Sequence, residues 1–360
     1  MVAFCSMSTV PKLAFHDPYL LSAYAGAIAL GTTGGYSLTK KILGAPSFTP
    51  SPAEAPQLPA PNEKEPLSPA LWKYLGAAIL TDAVATALYF VCPPAAIPVT
   101  AVAVWLLCSS GVILANHLVQ NSHSLVAKTV RAAHAMMGEV NSSIACALLF
   151  PATLFPQFHK PQGNPNGRPI LMVNGYLSFG STWYYLRKRM IEAGFGPVYT
   201  MNIGSFNSIK EYATKLQSQV QKIQEETGRK DLALVCHSKG GLVGSYYATH
   251  LAPSDGAEVT DIVTLGSPLA GTPIAKLGLG EDAKEMHPNH QFNTQLREKM
   301  ATHSQIRFFH LASEMDEVVP LESALLGQDP SRQKIYKDLG HLGLLFSSKV
   351  ANQVCTWLKP

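Results

Sequence analysis

The sequence predicts a two-part chain: an all-α, apolar, membrane-associated region over residues 1–160, then an α/β domain on a parallel sheet over residues 161–360. Three observations carry this. The 52 charged residues are unevenly spread, with 14 in positions 1–160 and 38 in the last 200. Positions 83–127 are 45 consecutive residues without Asp, Glu, Lys or Arg, which a water-facing surface rarely tolerates. From Gly163 onward, short apolar runs alternate with helical segments, the pattern of βαβ units. An apolar fraction of 47% excludes disorder, and a net charge of +4 without a basic, aromatic-laced stripe argues against nucleic acid as a partner. The six cysteines, at 5, 92, 108, 146, 236 and 355, show no paired spacing. No disulfide framework, metal site or cofactor is expected, and a reducing compartment fits.

Four apolar stretches organise the first half. Residues 18–38 are diluted by Thr32, Thr33 and Ser37. Residues 74–91 end at Pro93-Pro94, and residues 97–118 include Trp105, Leu106, Leu107, Ile113 and Leu114. About 20 apolar residues cross the hydrocarbon of a bilayer, so the second and third stretches read as a transmembrane hairpin. The first is a weaker candidate. The fourth, Ile144–Phe155, is only about a dozen residues with Pro151 inside it, and reads as interfacial or a short return into the membrane. Two to four helices in all imply a multi-pass chain. Asp82 lies within the second stretch, where it faces a neighbour or marks the headgroup boundary. Residues 49–69, with seven prolines, form an extended loop. Lys40, Lys41, Lys73, Lys128 and Arg131 favour the cytoplasmic side for their segments; the side of the catalytic half depends on whether Ile144–Phe155 crosses. No basic stretch precedes the first apolar segment, so it is expected to be retained.

In the second half, strands are expected at 169–173, 197–201, 231–236, 259–265 and 306–311. Helices are expected at 181–193, 208–226, 240–250 and 349–358, and a helical piece at 291–300. The apolar face of 208–226 is spaced by three and four through Ile209, Tyr212, Leu216, Val220 and Ile223. The strand runs are apolar throughout, as when both faces of a sheet are covered.

The chemistry concentrates in Leu234-Val-Cys-His-Ser-Lys-Gly-Gly-Leu242. A nucleophilic serine on a sharp strand-to-helix turn needs small neighbours, because its backbone is strained and its Oγ must clear the sheet. Gly240 and Gly241 supply them on one side; Cys236 stands at the other. Such a serine needs a base, and the base an orienting acid. His341 lies in Asp338-Leu-Gly-His-Leu-Gly343, before the last helix. Asp316 lies just past the strand 306–311, with Glu314 and Glu317 as competing acids.

Residues 168–358 resemble the α/β-hydrolase superfamily, specifically its bacterial lipase/esterase-like branch. The matching segments are Ile170-Leu-Met-Val-Asn-Gly175, Cys236-His-Ser-Lys-Gly-Gly241, Thr264-Leu-Gly-Ser-Pro-Leu-Ala-Gly-Thr-Pro273, Asp316-Glu-Val-Val-Pro320 and Gly340-His-Leu-Gly343. The resemblance implies Ser238 as nucleophile, Asp316 as acid and His341 as base. Cys236 departs from the first glycine of the serine motif, and Asn174 stands where the family usually has histidine. The oxyanion donors implied are the amides of Lys239 and Tyr176. The Lys239 side chain reads as a solvated surface lysine or, less so, as a cation at the mouth of the site. His237 reads as a packing or hydrogen-bonding residue, and His287 and His290 as ordinary loop histidines. The long connection at about 268–305 reads as a lid-like insertion.

The function expected is a membrane-associated serine hydrolase. It would cleave carboxylic esters through a Ser-His-Asp triad and an acyl-enzyme, on a membrane-lipid or acyl-ester substrate. A thioesterase or acyltransferase of the same fold, or a non-catalytic hydrolase-like interaction protein, are the alternatives.

Overall fold

The alternation of apolar runs and helices folds into one six-stranded sheet. The computed structural model describes residues 124–155, 160–327 and 329–359, with Trp105, Cys108, residues 111–113, Ala115 and Asn116. The expectations for residues 18–38, 49–69 and 74–91, for Asp82, Cys5 and Cys92, and for most of 97–118 lie outside the described residues. The strands are β1 Ile170–Val173, β2 Val198–Met201, β3 Asp231–His237, β4 Glu258–Leu265, β5 Arg307–Ser313 and β6 Gln333–Tyr336. They run in the order β2-β1-β3-β4-β5-β6, and every neighbouring pair is parallel. Successive side chains of a strand point to opposite faces. Leu171, Val173, Leu234 and Cys236 accordingly join one core, while Ile170, Met172, Ala233 and Val235 join the other. β6 is the strand the sequence did not signal. Its Gln-Lys-Ile-Tyr lies at the sheet edge, only Tyr336 is fully buried, and no apolar run marks it.

Helices pack on both faces: α1 Leu125–Leu149, α2 Tyr184–Glu192, α3 Ile209–Thr227, α4 Lys239–Tyr246, α5 Glu281–Glu285, α6 Gln291–Ala301 and α7 Ser348–Leu358. α3 illustrates the local logic. Ser208 caps it by accepting from Glu211 N at 3.2 Å, Gly228 closes it at φ 67°, and Ile209, Tyr212, Leu216, Val220 and Ile223 are its buried stripe. α4 is shorter than the expected 240–250, because its last turn widens into a π-helical turn at Tyr247–Leu251.

The stretch 144–155 is not a separate short segment. Its first half completes the 25-residue α1, and Phe150–Leu154 follow as a 3-10 turn at Pro151. The polar residues preceding Ile144 do not interrupt the helix: Ser142 is buried, and Asn141 Oδ1 accepts from Trp105 Nε1 at 2.9 Å. Ala127, Arg131, Ala135, Glu139, Ser142 and Cys146 form its buried stripe. Leu125, Val126, Met136, Ile144 and Leu148 are exposed, Leu125 by 79% and Leu148 by 76%. The usual amphipathic arrangement is therefore inverted. By length and composition, Leu125–Leu154 could cross a membrane, the one such helix among the described residues.

Candidate active site

The carboxyl ends of β3, β4 and β5 meet where a parallel sheet collects its site. Ser238 follows β3 directly and takes φ 54°, ψ −128°, before α4 begins at Lys239. A positive φ on a non-glycine residue costs on the order of 1–3 kcal/mol, so the surroundings must hold it. Ser238 N donates to Leu265 O at 2.9 Å and Gly241 N to Ser238 O at 3.0 Å. Space is as tight as the turn requires. A Cβ on Gly240 or Gly241 would overlap Val173 O or Ser267 Oγ, and one on Gly175 would lie 2.9 Å from Ser238 Cβ. The cysteine at the motif's first position fits because the helix gives way. Cys236 is fully buried, and a Cβ on Gly244 would lie 2.7 Å from its Sγ. Burial also pushes the Cys236 thiol pKa well up, so it is a packing group rather than a second nucleophile.

Asp316 sits in the loop after β5. Its Oδ1 accepts the amides of Val318 at 2.9 Å and Val319 at 2.8 Å, which fixes the carboxylate. His341 Nδ1 lies 2.9 Å from Asp316 Oδ2 and 3.1 Å from Oδ1. This leaves Nε2 as the free basic nitrogen. Burial disfavours the charged imidazole, but Asp316 outweighs it and His341 is raised above the ordinary histidine value. The structure thus pairs Asp316, rather than Glu314 or Glu317, with His341. Ser238 Oγ and His341 Nε2 make no hydrogen bond to each other, a contact that commonly tightens only when substrate is bound. His237, adjacent to Ser238 in the chain, lies tilted by 46° against the His341 ring with centroids 4.6 Å apart, and its Nε2 lies 3.1 Å from His341 O. His237 is buried, which pushes its pKa well below the ordinary value. It is a neutral support, as expected.

Lys239 opens α4, where the first amides have no acceptor within the helix, and the Tyr176 amide bonds no acceptor among the described residues. Lys239 directly follows the serine, and Tyr176 follows Gly175, on which a Cβ would lie 2.9 Å from Ser238 Cβ. The Lys239 side chain is neither solvated nor at the mouth. It is fully buried, with Nζ 2.7 Å from Asp282 Oδ2 and 2.6 Å from Gly204 O. It also lies 4.2 Å from the centroid of the Tyr212 ring. The sequence suggested otherwise because a buried lysine is rare; this one is tolerated because Asp282 supplies the counter-charge. Burial lowers its pKa to about 8 against the opposing pull of Asp282. The pair pins the connection 268–305 to α4, and Phe292, Leu296 and Met300 of α6 bury into the core. What stands clear of the body is Leu277 and Leu279, half exposed, beside Tyr176, whose hydroxyl donates to Leu279 O at 2.8 Å and accepts from Leu279 N at 2.9 Å. Asn174, in the place of a family histidine, staples loops: Oδ1 accepts from Ile203 N at 3.0 Å, and Nδ2 donates to Ser178 O at 2.5 Å.

His290 caps α6, accepting from Phe292 N at 3.3 Å. Among the described residues no group of His, Cys, Asp and Glu side chains could hold a metal, and Cys108, Cys146, Cys236 and Cys355 are unpaired thiols. Sequence reasoning missed the groups that hold the His341 loop from the amino-terminal side. Glu139 accepts the amides of Leu342 at 2.8 Å and Gly343 at 3.1 Å. Asn116 Nδ2 donates to Asp338 Oδ2 at 2.7 Å, and His134 Nδ1 lies 2.9 Å from Asp338 O. The available signal was Arg131 and Glu139 on one face of an otherwise apolar helix, where charges need partners.

Residues 197–294 match the model of a family described as alpha/beta hydrolase. Among solved structures, the chain is similar to the mature lipase BlEst2 of Bacillus licheniformis, at 18% identity and a TM-score of 0.47, covering 56% of this chain and 96% of that one. It is also similar to a monoacylglycerol lipase of Paleococcus ferrophilus, at 17% identity and a TM-score of 0.37, covering 53% and 95%. A naproxen esterase of Bacillus subtilis matches at 12% identity and a TM-score of 0.38, covering 61% and 99%.

Proposed function

We propose that the carboxy-terminal region is an α/β-hydrolase domain, in line with the family model that matches residues 197–294 and with the all-parallel sheet, and that the chain is a membrane-associated serine hydrolase of carboxylic esters. The observation that carries the reading is the positive φ of Ser238 at the end of β3, beside the Asp316–His341 pair. Strain of that kind persists where it serves a site. In the proposed reaction His341 Nε2 takes the proton of Ser238 Oγ as that oxygen attacks the ester carbonyl. Asp316 holds the imidazole by its Nδ1–H and offsets the imidazolium charge. The Lys239 and Tyr176 amides receive the oxyanion. The protonated imidazole passes its proton to the departing alkoxide, leaving an acyl-Ser238, and water enters by the same steps in reverse order of roles.

An apolar acyl group is favoured because Leu277 and Leu279 stand half exposed beside Tyr176. A bilayer location is favoured by the inverted face of α1. The test is turnover of p-nitrophenyl esters and acyl thioesters of increasing chain length by the full chain, with Ser238→Ala and His341→Ala beside it. Loss of turnover in both variants, preference for esters, and fluorophosphonate labelling of Ser238 are expected. Unchanged turnover in either variant would refute the assignment. A Ser238 that resists the label would point to a hydrolase-like domain without catalysis.

A further inference from the structure

Glu139 reaches the His341 loop from α1, outside the sheet and its connections. Oε1 accepts from Leu342 N at 2.8 Å and Oε2 from Gly343 N at 3.1 Å. A Cβ on Gly340 would overlap its Oε2 and lie 3.1 Å from its Cδ. The glycine preceding His341 is therefore the room that Glu139 occupies. Glu317, from the loop after β5, holds the same loop at the histidine itself: its Oε2 accepts the His341 amide at 3.3 Å. Burial, and after it the neighbouring Glu317 carboxylate, raise the pKa of Glu139 well above the ordinary value.

We propose that Glu139 is a positioning residue for His341: it fixes the loop through the Leu342 and Gly343 amides, in the room that Gly340 leaves for it. The inference rests on the reading of Ser238 and His341 as the reacting pair. It means that a helix outside the hydrolase sheet completes the support of the base, so that seating α1 and orienting His341 are one event.

Asp316 Oδ2 lies 2.9 Å from the imidazole Nδ1, Glu317 accepts the His341 amide, and the His237 ring lies against the imidazole from the end of β3. Asp338, on its own loop, is engaged by Asn116, with Lys349 Nζ at 3.7 Å and His134 at 4.0 Å. Of these, Asp316 and Glu317 are the groups that raise the pKa of His341. Burial and Asp316 in turn raise that of Glu317.

Two variants grade the loss of the loop contacts. Glu139→Ala removes both acceptors. Glu139→Gln keeps one oxygen that accepts from the loop, while its NH2 group is turned toward another backbone N–H. The experiment is the pH profile of kcat and KM for a short-chain p-nitrophenyl ester, with the full chain in detergent micelles and melting followed in parallel. Glu139→Ala should lose about 10²-fold in kcat, the scale of a misplaced catalytic group, with KM held, and Glu139→Gln should lose less. A Glu139→Ala variant with wild-type kcat, or a loss that falls on KM instead, would overturn the inference. Should Glu139→Ala fail to fold, Glu139→Gln decides, and a wild-type kcat in it overturns the inference. Ser238 labelled and active in wild type, with the loss of kcat missing, refutes the role of Glu139 only; an inert, unlabelled Ser238 refutes the underlying reading.

Discussion

Removing the Asp282 carboxylate should unfold the chain more easily than any single truncation of an exposed side chain. Asp282 and Lys239 are both fully buried and lie 2.7 Å apart. Asp282 also accepts the Phe206 amide at 3.2 Å and the Ala283 amide at 3.0 Å. In Asp282→Ala, the Lys239 ammonium keeps Gly204 O and the Tyr212 and Tyr176 rings but no counter-charge, and the Phe206 amide loses its acceptor. Breaking one partner of a buried pair costs about 3–5 kcal/mol. For a domain of this size each kcal/mol lowers Tm by about 2–4 °C, so a fall on the order of 10 °C is expected. Exchanging both residues for apolar ones of similar volume, Lys239→Met with Asp282→Leu, should recover most of it, because neither charge is then stranded. The assay is thermal unfolding of the full chain in detergent, with residual ester turnover read after each step. Asp282→Ala melting within about 2 °C of wild type would refute the view that this pair holds the connection 268–305 to α4.

Three further outcomes follow from the same geometry. Gly244→Ala forces a methyl against Cys236 Sγ, so it should cost about 1–3 kcal/mol by overpacking; adding Cys236→Ala should restore the melting temperature, and failure of that rescue would sink the account of the altered serine motif. The acid limb of kcat/KM should lie above the ordinary histidine value of about 6.5, because Asp316 raises His341 and only the neutral imidazole is a base. Asp316→Asn should move that limb to lower pH and cut kcat by about 10⁴-fold; a limb that stays put contradicts the pairing. In a Cys108→Ser background, a fluorophore on Leu148→Cys should be quenched by brominated acyl chains in phosphatidylcholine vesicles, whereas one on Lys222→Cys, exposed on α3, should not. Equal quenching at both positions removes the case for a lipid-facing α1.

Much of the sheet was legible because its strands are buried on both faces and hence read as unbroken apolar runs; Ile170–Val173 and Asp231–His237 are the plainest. β6 was illegible for the opposite reason, since an edge strand with Gln333 and Lys334 has no apolar run to read. Ser238 and His341 could be named because loop glycines crowd around them and leave a trace in the sequence. The environment of Lys239 could not be, since its partner Asp282 lies 43 residues away and the two meet only through the tertiary fold. The support from α1 was hidden by a scale of reading. Averaged over a window, the helix is simply apolar. Only its wheel separates Arg131 and Glu139 on the covered side from Leu125 and Leu148 on the bare one.

That covered side has a consequence for how such a chain can be recombined. Asn116, His134 and Glu139 all end on the short stretch from Asp338 to Gly343, so the apparent seam near residue 160, where Pro, Gly and Asn cluster, is a seam in composition but not in mechanical support. A chain begun at residue 160, or one grafted onto a foreign anchor, would keep every strand and the whole Asp316–His341 pair. Yet it would leave the Leu342 and Gly343 amides without their acceptor and an empty slot against Gly340. A transplanted α/β domain would therefore keep its scaffold and lose the support of the His341 loop unless the new anchor brings a carboxyl to the same place.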